Sequence, residues 1–273
     1  MVGTLAQLIA LVSHGNAFLN EGHEARDFYP SNSTFQFCNE VHFVRLKKLF
    51  KVKEIEVARN PNDWFILLKD SNSLRLVLRY SPTSKSQFPD YKLAGLVGGG
   101  GTWYIASIFP QQADYWIGRW EVTNQNAPDN NIWKVTYGRV AEKEKLPQIQ
   151  NDYLSSYKDK LEDILKQIEA FALKHSLDFW AQSFRNGLEA LASNDPISLT
   201  YHKDLLPHEG YSLDAKRLVA ASSQAWVFGG MGSWNDLGFE DASEHQEYER
   251  LSQELYAAIN LCVERGVNSY GQQ

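Results

Sequence analysis

His202, Asp204, His208 and Glu209 share one loop, the nearest approach in this chain to a set of metal ligands or acid–base groups. Zinc chemistry needs three or four converging donors, at spacings such as HExxH or paired CxxC. None of His14, His23, His42, His175, His202, His208 and His245 is spaced that way, so the loop reads as solvated surface, and a hydrolase built on it is the remotest reading. Nucleophilic chemistry is no better served. Ser233 follows Gly230-Met231-Gly232 and precedes Trp234, which breaks the GxSxG pattern, and it comes after a helix rather than on a strand-to-helix elbow. Cys38 and Cys262 lie in apolar patterns with no neighbouring histidine, the setting of inert buried thiols. Gly98-Gly99-Gly100-Gly101 has the backbone freedom of a phosphate cradle, yet Thr102-Trp103-Tyr104-Ile105 continues as a strand where a phosphate site needs a helix N-terminus. The expectation is a chain with no catalytic residues, no cofactor and no metal.

Binding chemistry has better candidates. Trp103, Trp116, Trp120 and Trp133 supply rings on which sugars or bases stack, although period-2 alternation turns Trp116, Trp120 and Trp133 inward. The other candidate is Val227-Phe228-Gly229-Gly230-Met231-Gly232-Ser233-Trp234-Asn235-Asp236-Leu237. Three glycines in a short turn permit positive φ and close backbone approach. Gly229 and Gly230 can end the preceding helix, Gly232 can let the chain cross another element, and Trp234 can anchor the turn. Alternatively Trp234, Asn235 and Asp236, with Glu240, Asp241 and Glu244 beside them, face a protein partner. The acids have a structural account too, since carboxylates favour a helix N-terminus.

This segment, set between two amphipathic helices, resembles the GGMGS-aromatic-ND signature of a small helical bacterial domain of unknown function, often suspected in immunity proteins of polymorphic toxin systems. The likeness spans residues 152 to 268 and leaves the N-terminal half unmatched. Together with the absence of a catalytic set, the acidic charge and the aromatic richness, it points to a non-enzymatic binding protein that neutralises a toxin or other protein partner by masking it, expected in the cytoplasm because two far-separated cysteines in apolar patterns suit a reducing compartment. A small-ligand or carbohydrate-binding module using the aromatic strands is the alternative. Partner identity and oligomeric state stay open.

The elements that must position these residues follow from periodicity and composition. Formal charge is −6, which disfavours a nucleic-acid backbone as partner and suits a basic one. The opening MVGTLAQLIALVSHGN has neither the basic flank of a signal peptide nor the length of a membrane span. Leu5, Leu8, Ile9 and Val12 share a helical face over 4–18, with Thr4 and Gln7 at capping-box spacing. From 34 to 140 the pattern is that of strands, with Trp64 to Leu68 among them and Asn60-Pro61-Asn62-Asp63 as a turn. Beyond the charged stretch 141–147, three- and four-residue spacings predict helices over 154–171, 180–191, 212–227 and 241–266. The predicted class is α+β: an N-terminal antiparallel sheet of about six or seven strands with one helix, then a bundle of about four helices. The predicted domains are 1–146 and 147–273.

Overall fold

The computed structural model describes residues 1–21, 27–48, 52–84, 87–96, 98–123, 125–148 and 153–272; His23 and the middle of the predicted 20–33 loop lie outside them. The chain is α+β. Helix α1 (Gly3–Glu21) leads to β1 (Cys38–Lys48), β2 (Val52–Ala58), α2 (Pro61–Asp70), β3 (Arg75–Ser81), the single turn α3 (Asp90–Leu93), β4 (Thr102–Ile108), β5 (Ala113–Val122) and β6 (Trp133–Glu144). Helices α4 (Leu154–Lys174), α5 (Asp178–Ala192), α6 (Leu213–Gln224) and α7 (Ala242–Asn268) follow.

One sheet of six strands runs in the order β2-β1-β6-β5-β4-β3. Strands β3 to β6 form an antiparallel meander and β1–β2 a hairpin, but β1 lies parallel to β6, with Phe43 opposite Tyr137. The sheet is therefore mixed where hairpins alone were expected. Adjacency along the chain argues for hairpins, whereas the parallel contact joins strands about 95 residues apart, whose pairing no local spacing encodes.

Trp64 to Leu68 are helical, not extended. The Asn60 side chain accepts from the Asp63 N–H at 2.9 Å and Pro61 stands in the first turn, the two residues that most favour a helix start. Trp64, Phe65 and Leu68 are thereby buried on one face, and Trp64 stacks on Phe43 with centroids 4.3 Å apart. Gln7 is no capping residue either. It is buried, donating to Thr34 O at 3.2 Å and accepting from the Tyr137 hydroxyl at 2.7 Å, which ties α1 to β6.

Alternation is right where the sheet is covered. Trp116, Val135 and Tyr137 are buried, and the Trp116 indole donates to Ser107 Oγ at 2.8 Å, so these rings belong to the core and offer no open stacking platform. Trp120 and Trp133 pack edge to face on each other at 5.9 Å, half-buried. Of the residues that alternate with these rings along β5 and β6, Arg119 and Lys134 pair with Glu54 and Glu40 at 2.8 Å. Thr136 departs from that pattern, buried beside His42 Nε2 at 2.7 Å.

The sheet core draws on both halves of the chain: α1 packs on Val41, Phe43, Leu76 and Leu78 together with Val219 of α6 and Val263 of α7. A second core fills the space among α4, α5, α6 and α7. Strand β3, an edge of the sheet, is sealed by side chains. Asn16 of α1 bonds both backbone groups of Leu76, at 2.7 and 2.9 Å, and Asn268 of α7 bonds both of Leu78 at 2.8 Å. Glu264 accepts from Tyr80 N at 2.9 Å. Unpaired edge groups invite pairing with other chains, and here helix side chains stand in for a seventh strand.

Candidate functional site

The glycine turn is built from a buried anchor outward. Helix α6 ends at Gln224 with Ala225 as its cap, several residues before Gly229, so the glycines do not terminate it. Trp234 opens a single 3-10 turn, Trp234–Asp236. Its ring is 0% exposed, boxed by Phe184 at 5.1 Å, Tyr248 at 5.5 Å and Trp180 at 6.0 Å. The indole N–H donates to Ser252 Oγ at 2.8 Å, and the Tyr248 hydroxyl donates to Trp234 O at 2.7 Å. No partner can touch this ring. Trp234 is an anchor, and its place among the contact candidates falls away.

Asn235 and Asp236 are spent largely on the turn itself. Asn235 accepts from Gly229 N at 3.0 Å and donates to Gly229 O at 3.3 Å, a two-way clamp on one residue. Asp236 accepts from Gly232 N at 2.6 Å and Ser233 N at 3.3 Å. Ser233 Oγ lies 2.6 Å from Gly230 O and 2.7 Å from Asn235 Oδ1, a turn hydroxyl with no base beside it. Two glycines are required, for different reasons. Gly232 has φ +84°, which other residues rarely adopt. Gly95 lies against Gly229: a Cβ added to Gly95 would stand 1.9 Å from Gly229 O, whereas one added to Gly229 meets nothing nearer than 3.6 Å, so the close crossing predicted for Gly232 occurs where Gly95 meets Gly229, and Gly95 is the residue that must be glycine. The product is a rigid loop whose tip, Met231, is fully exposed. Met231, Leu96 and Lys92 line one shallow depression of about 440 Å³, and Leu96 is itself 63% exposed.

The acids divide the same way. Asp241 caps α7, accepting from Ser243 N and Glu244 N at 2.8 and 3.0 Å; bonds from the Ser243 hydroxyl and these N–H groups hold its carboxyl below the usual range. Glu244 reaches Lys174 at 3.2 Å. Glu249 pairs with Lys92, joining α7 to α3. Glu240 is exposed beside them.

The histidine loop is a latch. Asp204 accepts from the Ser33 N–H at 2.6 Å and from the Ser33 hydroxyl, whose oxygen lies 2.8 Å from His202 Nδ1. Asn32 donates to Asp204 O at 2.7 Å, and His14 Nε2 lies 3.0 Å from the same oxygen. With the Ser33 hydroxyl donating to Asp204, His202 Nδ1 faces the serine oxygen as a donor, the reverse of the serine-to-histidine bond that a relay needs. Among the described residues no three His, Cys, Asp or Glu side chains converge as metal ligands. The thiols of Cys38 and Cys262 are free, and burial pushes them up to about 11 and about 12, against thiolate chemistry.

The latch carries a pH dependence. Burial lowers the His14 and His202 imidazoles from the ordinary value of 6.5. The unfolded chain then binds more protons than the folded one below that value, so stability is full above about pH 6.5 and declines as pH falls through it. The slope is at most about 1.4 kcal/mol per pH unit per site, and less for the half-exposed His202. Urea titrations at pH 7.5 and 5.5 will show this decline, and His14→Phe, which keeps the ring stacked on Phe28 at 4.6 Å, will flatten it. A slope unchanged in that variant would exclude His14 as its source.

A larger concavity, about 600 Å³, lies between β3, Pro89–Tyr91 and α7. Its walls are the rings of Tyr80, Phe88, Tyr91 and Tyr256, and Asp90, Asn260 and Glu264 supply most of its polarity. Sequence reasoning missed this site; its one signal was Asn260, a carboxamide between Ile259 and Cys262 on an otherwise apolar stripe. No family model, no curated protein and no solved structure matches this chain. Among the described residues no helix is long and apolar enough to cross a membrane.

Proposed function

We propose that the protein is a non-enzymatic binding protein that masks a protein partner, with the glycine turn as its contact point. One observation supports this above the others: a fully exposed Met231 at the tip of a loop fixed from within by Trp234, Asn235 and Asp236. A loop already ordered loses little backbone entropy on binding, and methionine adapts to irregular apolar pockets. Leu96 extends the apolar spot, and the exposed Asp236 in the same depression gives it an acidic edge. A partner with an apolar pocket rimmed by basic side chains fits that surface. The specific form, from the resemblance of the turn, is a bacterial cytoplasmic immunity protein acting on a toxin encoded beside it.

The test is affinity capture from the native host, together with co-expression of the neighbouring gene product. The full chain is expected to retain one partner and protect the host. Met231→Asp is expected to weaken capture roughly 30-fold, as loss of a central apolar anchor does, while the melting temperature stays unchanged. Absence of any bound protein together with absence of protection would refute the proposal.

A further inference from the structure

We propose that the groove between β3, Pro89–Tyr91 and α7 binds a small, uncharged planar heterocycle of nucleobase or cyclic-amide type, whose adjacent donor and acceptor pair with the Asn260 carboxamide. Asn260 lines the groove and is 1% exposed, yet neither its nitrogen nor its oxygen has a hydrogen-bond partner among the described residues. The Tyr256 hydroxyl gives its proton to Gly100 O at 2.6 Å, and the Asn260 amide approaches its oxygen without reaching hydrogen-bond geometry. Buried amides are normally satisfied on both atoms, so one left open on both calls for a two-point partner. A carboxamide presents its donor and acceptor in one plane, the geometry that matches the edge of adenine or of a lactam.

The rest of the groove narrows the class. Asp90 spends one oxygen on the Tyr80 hydroxyl and Thr83 N, both at 3.0 Å, while Oδ1 is buried and unpartnered, a second point awaiting a donor. Tyr80, Phe88, Tyr91 and Tyr256 offer ring faces and edges to a flat ligand. The charged groups of the lining are Asp90 and Glu264, with no lysine or arginine among them; Glu264 is paired with Arg79 at 3.4 Å, so Asp90 is the charge that disfavours a phosphate-bearing ligand. A volume of about 600 Å³ lies inside the roughly 300–1,000 Å³ range of small-molecule sites. This inference is independent of the glycine turn and of any protein partner.

Isothermal titration calorimetry of the full chain with adenine, uracil, adenosine and AMP tests it. At least one free base is expected to bind saturably, and AMP at least about tenfold more weakly than adenosine. Asn260→Leu, close in shape, is expected to raise the melting temperature of the unliganded protein by removing the unpaired amide and to weaken base binding about tenfold or more. Phe88→Ala, at the exposed mouth, is expected to weaken binding several-fold with the melting temperature unchanged; it decides the matter if Asn260→Leu does not fold. Absence of saturable binding by all four probes overturns the proposal. So does a base affinity that survives Asn260→Leu, or survives Phe88→Ala where that variant must decide. AMP binding as tightly as adenosine overturns it as well. A lower melting temperature in Asn260→Leu, with no base bound by the parent, identifies the amide as a structural group satisfied by internal water.

Discussion

Trp234→Ala is expected to remove about 3–5 kcal/mol of stability, the usual cost of emptying a buried tryptophan site. The indole fills the meeting point of α5, α7 and the glycine turn, against Phe184, Trp180 and Tyr248, and its removal leaves Ser252 Oγ without the donor it accepts from at 2.8 Å. Against a net stability of order 5–15 kcal/mol for a folded chain, that loss halves the margin or consumes it. Urea denaturation followed by far-ultraviolet circular dichroism measures it directly. Trp234→Phe separates the contributions: it keeps an aromatic in the box and forfeits mainly the indole hydrogen bond, about 1–3 kcal/mol. Asn235→Ala and Asp236→Ala break caps at the surface and belong near 1 kcal/mol each. A Trp234→Ala variant within about 0.5 kcal/mol of the parent, where ordinary surface substitutions lie, would rule out the anchoring role and return the residue to the contact candidates.

What the sequence revealed about this region, and what it hid, follows from the range of the interactions. Glycine spacing marks a turn because φ at Gly232 is a local property, and the amphipathic helices on either side declare themselves by their 3.6 period. That Trp234 faces inward depends on Phe184 and Tyr248, which lie on two other helices, and no local pattern states it. Asn60-Pro61 is the instructive misreading. The same four residues suit a turn or a helix start, and the 64–68 run is too short for periodicity to arbitrate; spacing Trp64, Phe65 and Leu68 on one face decides it only once the sheet beneath is known. Strand alternation turns Trp116 inward correctly because a covered sheet face imposes period 2; Trp120 and Trp133, turned inward with it, are half-buried. The parallel β1–β6 contact and the groove share the opposite fate. Each is assembled from residues of distant segments, Tyr80 with Tyr256 and Asn260 in the second case, and only a polar residue in an apolar stripe hints at it.

The second large effect is expected at the sealed edge of the sheet. Asn16→Leu strands the N–H and the C=O of Leu76 in a buried position, and Asn268→Leu does the same to Leu78. Each unsatisfied buried group costs about 1–3 kcal/mol, so each variant, with two such groups, should lose roughly 2–6 kcal/mol, and the pair should expose a strand edge ready for pairing with other chains. Chemical denaturation of the single variants, with light scattering of the double, reads both consequences. Asn16→Asp is the informative control: at neutral pH its carboxylate keeps the acceptor for Leu76 N but sets a buried charge against Leu76 O, so it should cost at least as much as Asn16→Leu, and it should recover in acid, where the protonated carboxyl can donate to Leu76 O. The two sites act on one strand from different helices, so a double-mutant cycle should be non-additive. Additive losses would mean that α1 and α7 hold β3 independently. Coupled losses would tie the groove to the sheet, because Asn268 and Glu264 fix the same helix that carries Asn260. Loosening that clamp should then weaken binding in the groove through the position of α7, without any change to the groove's own side chains.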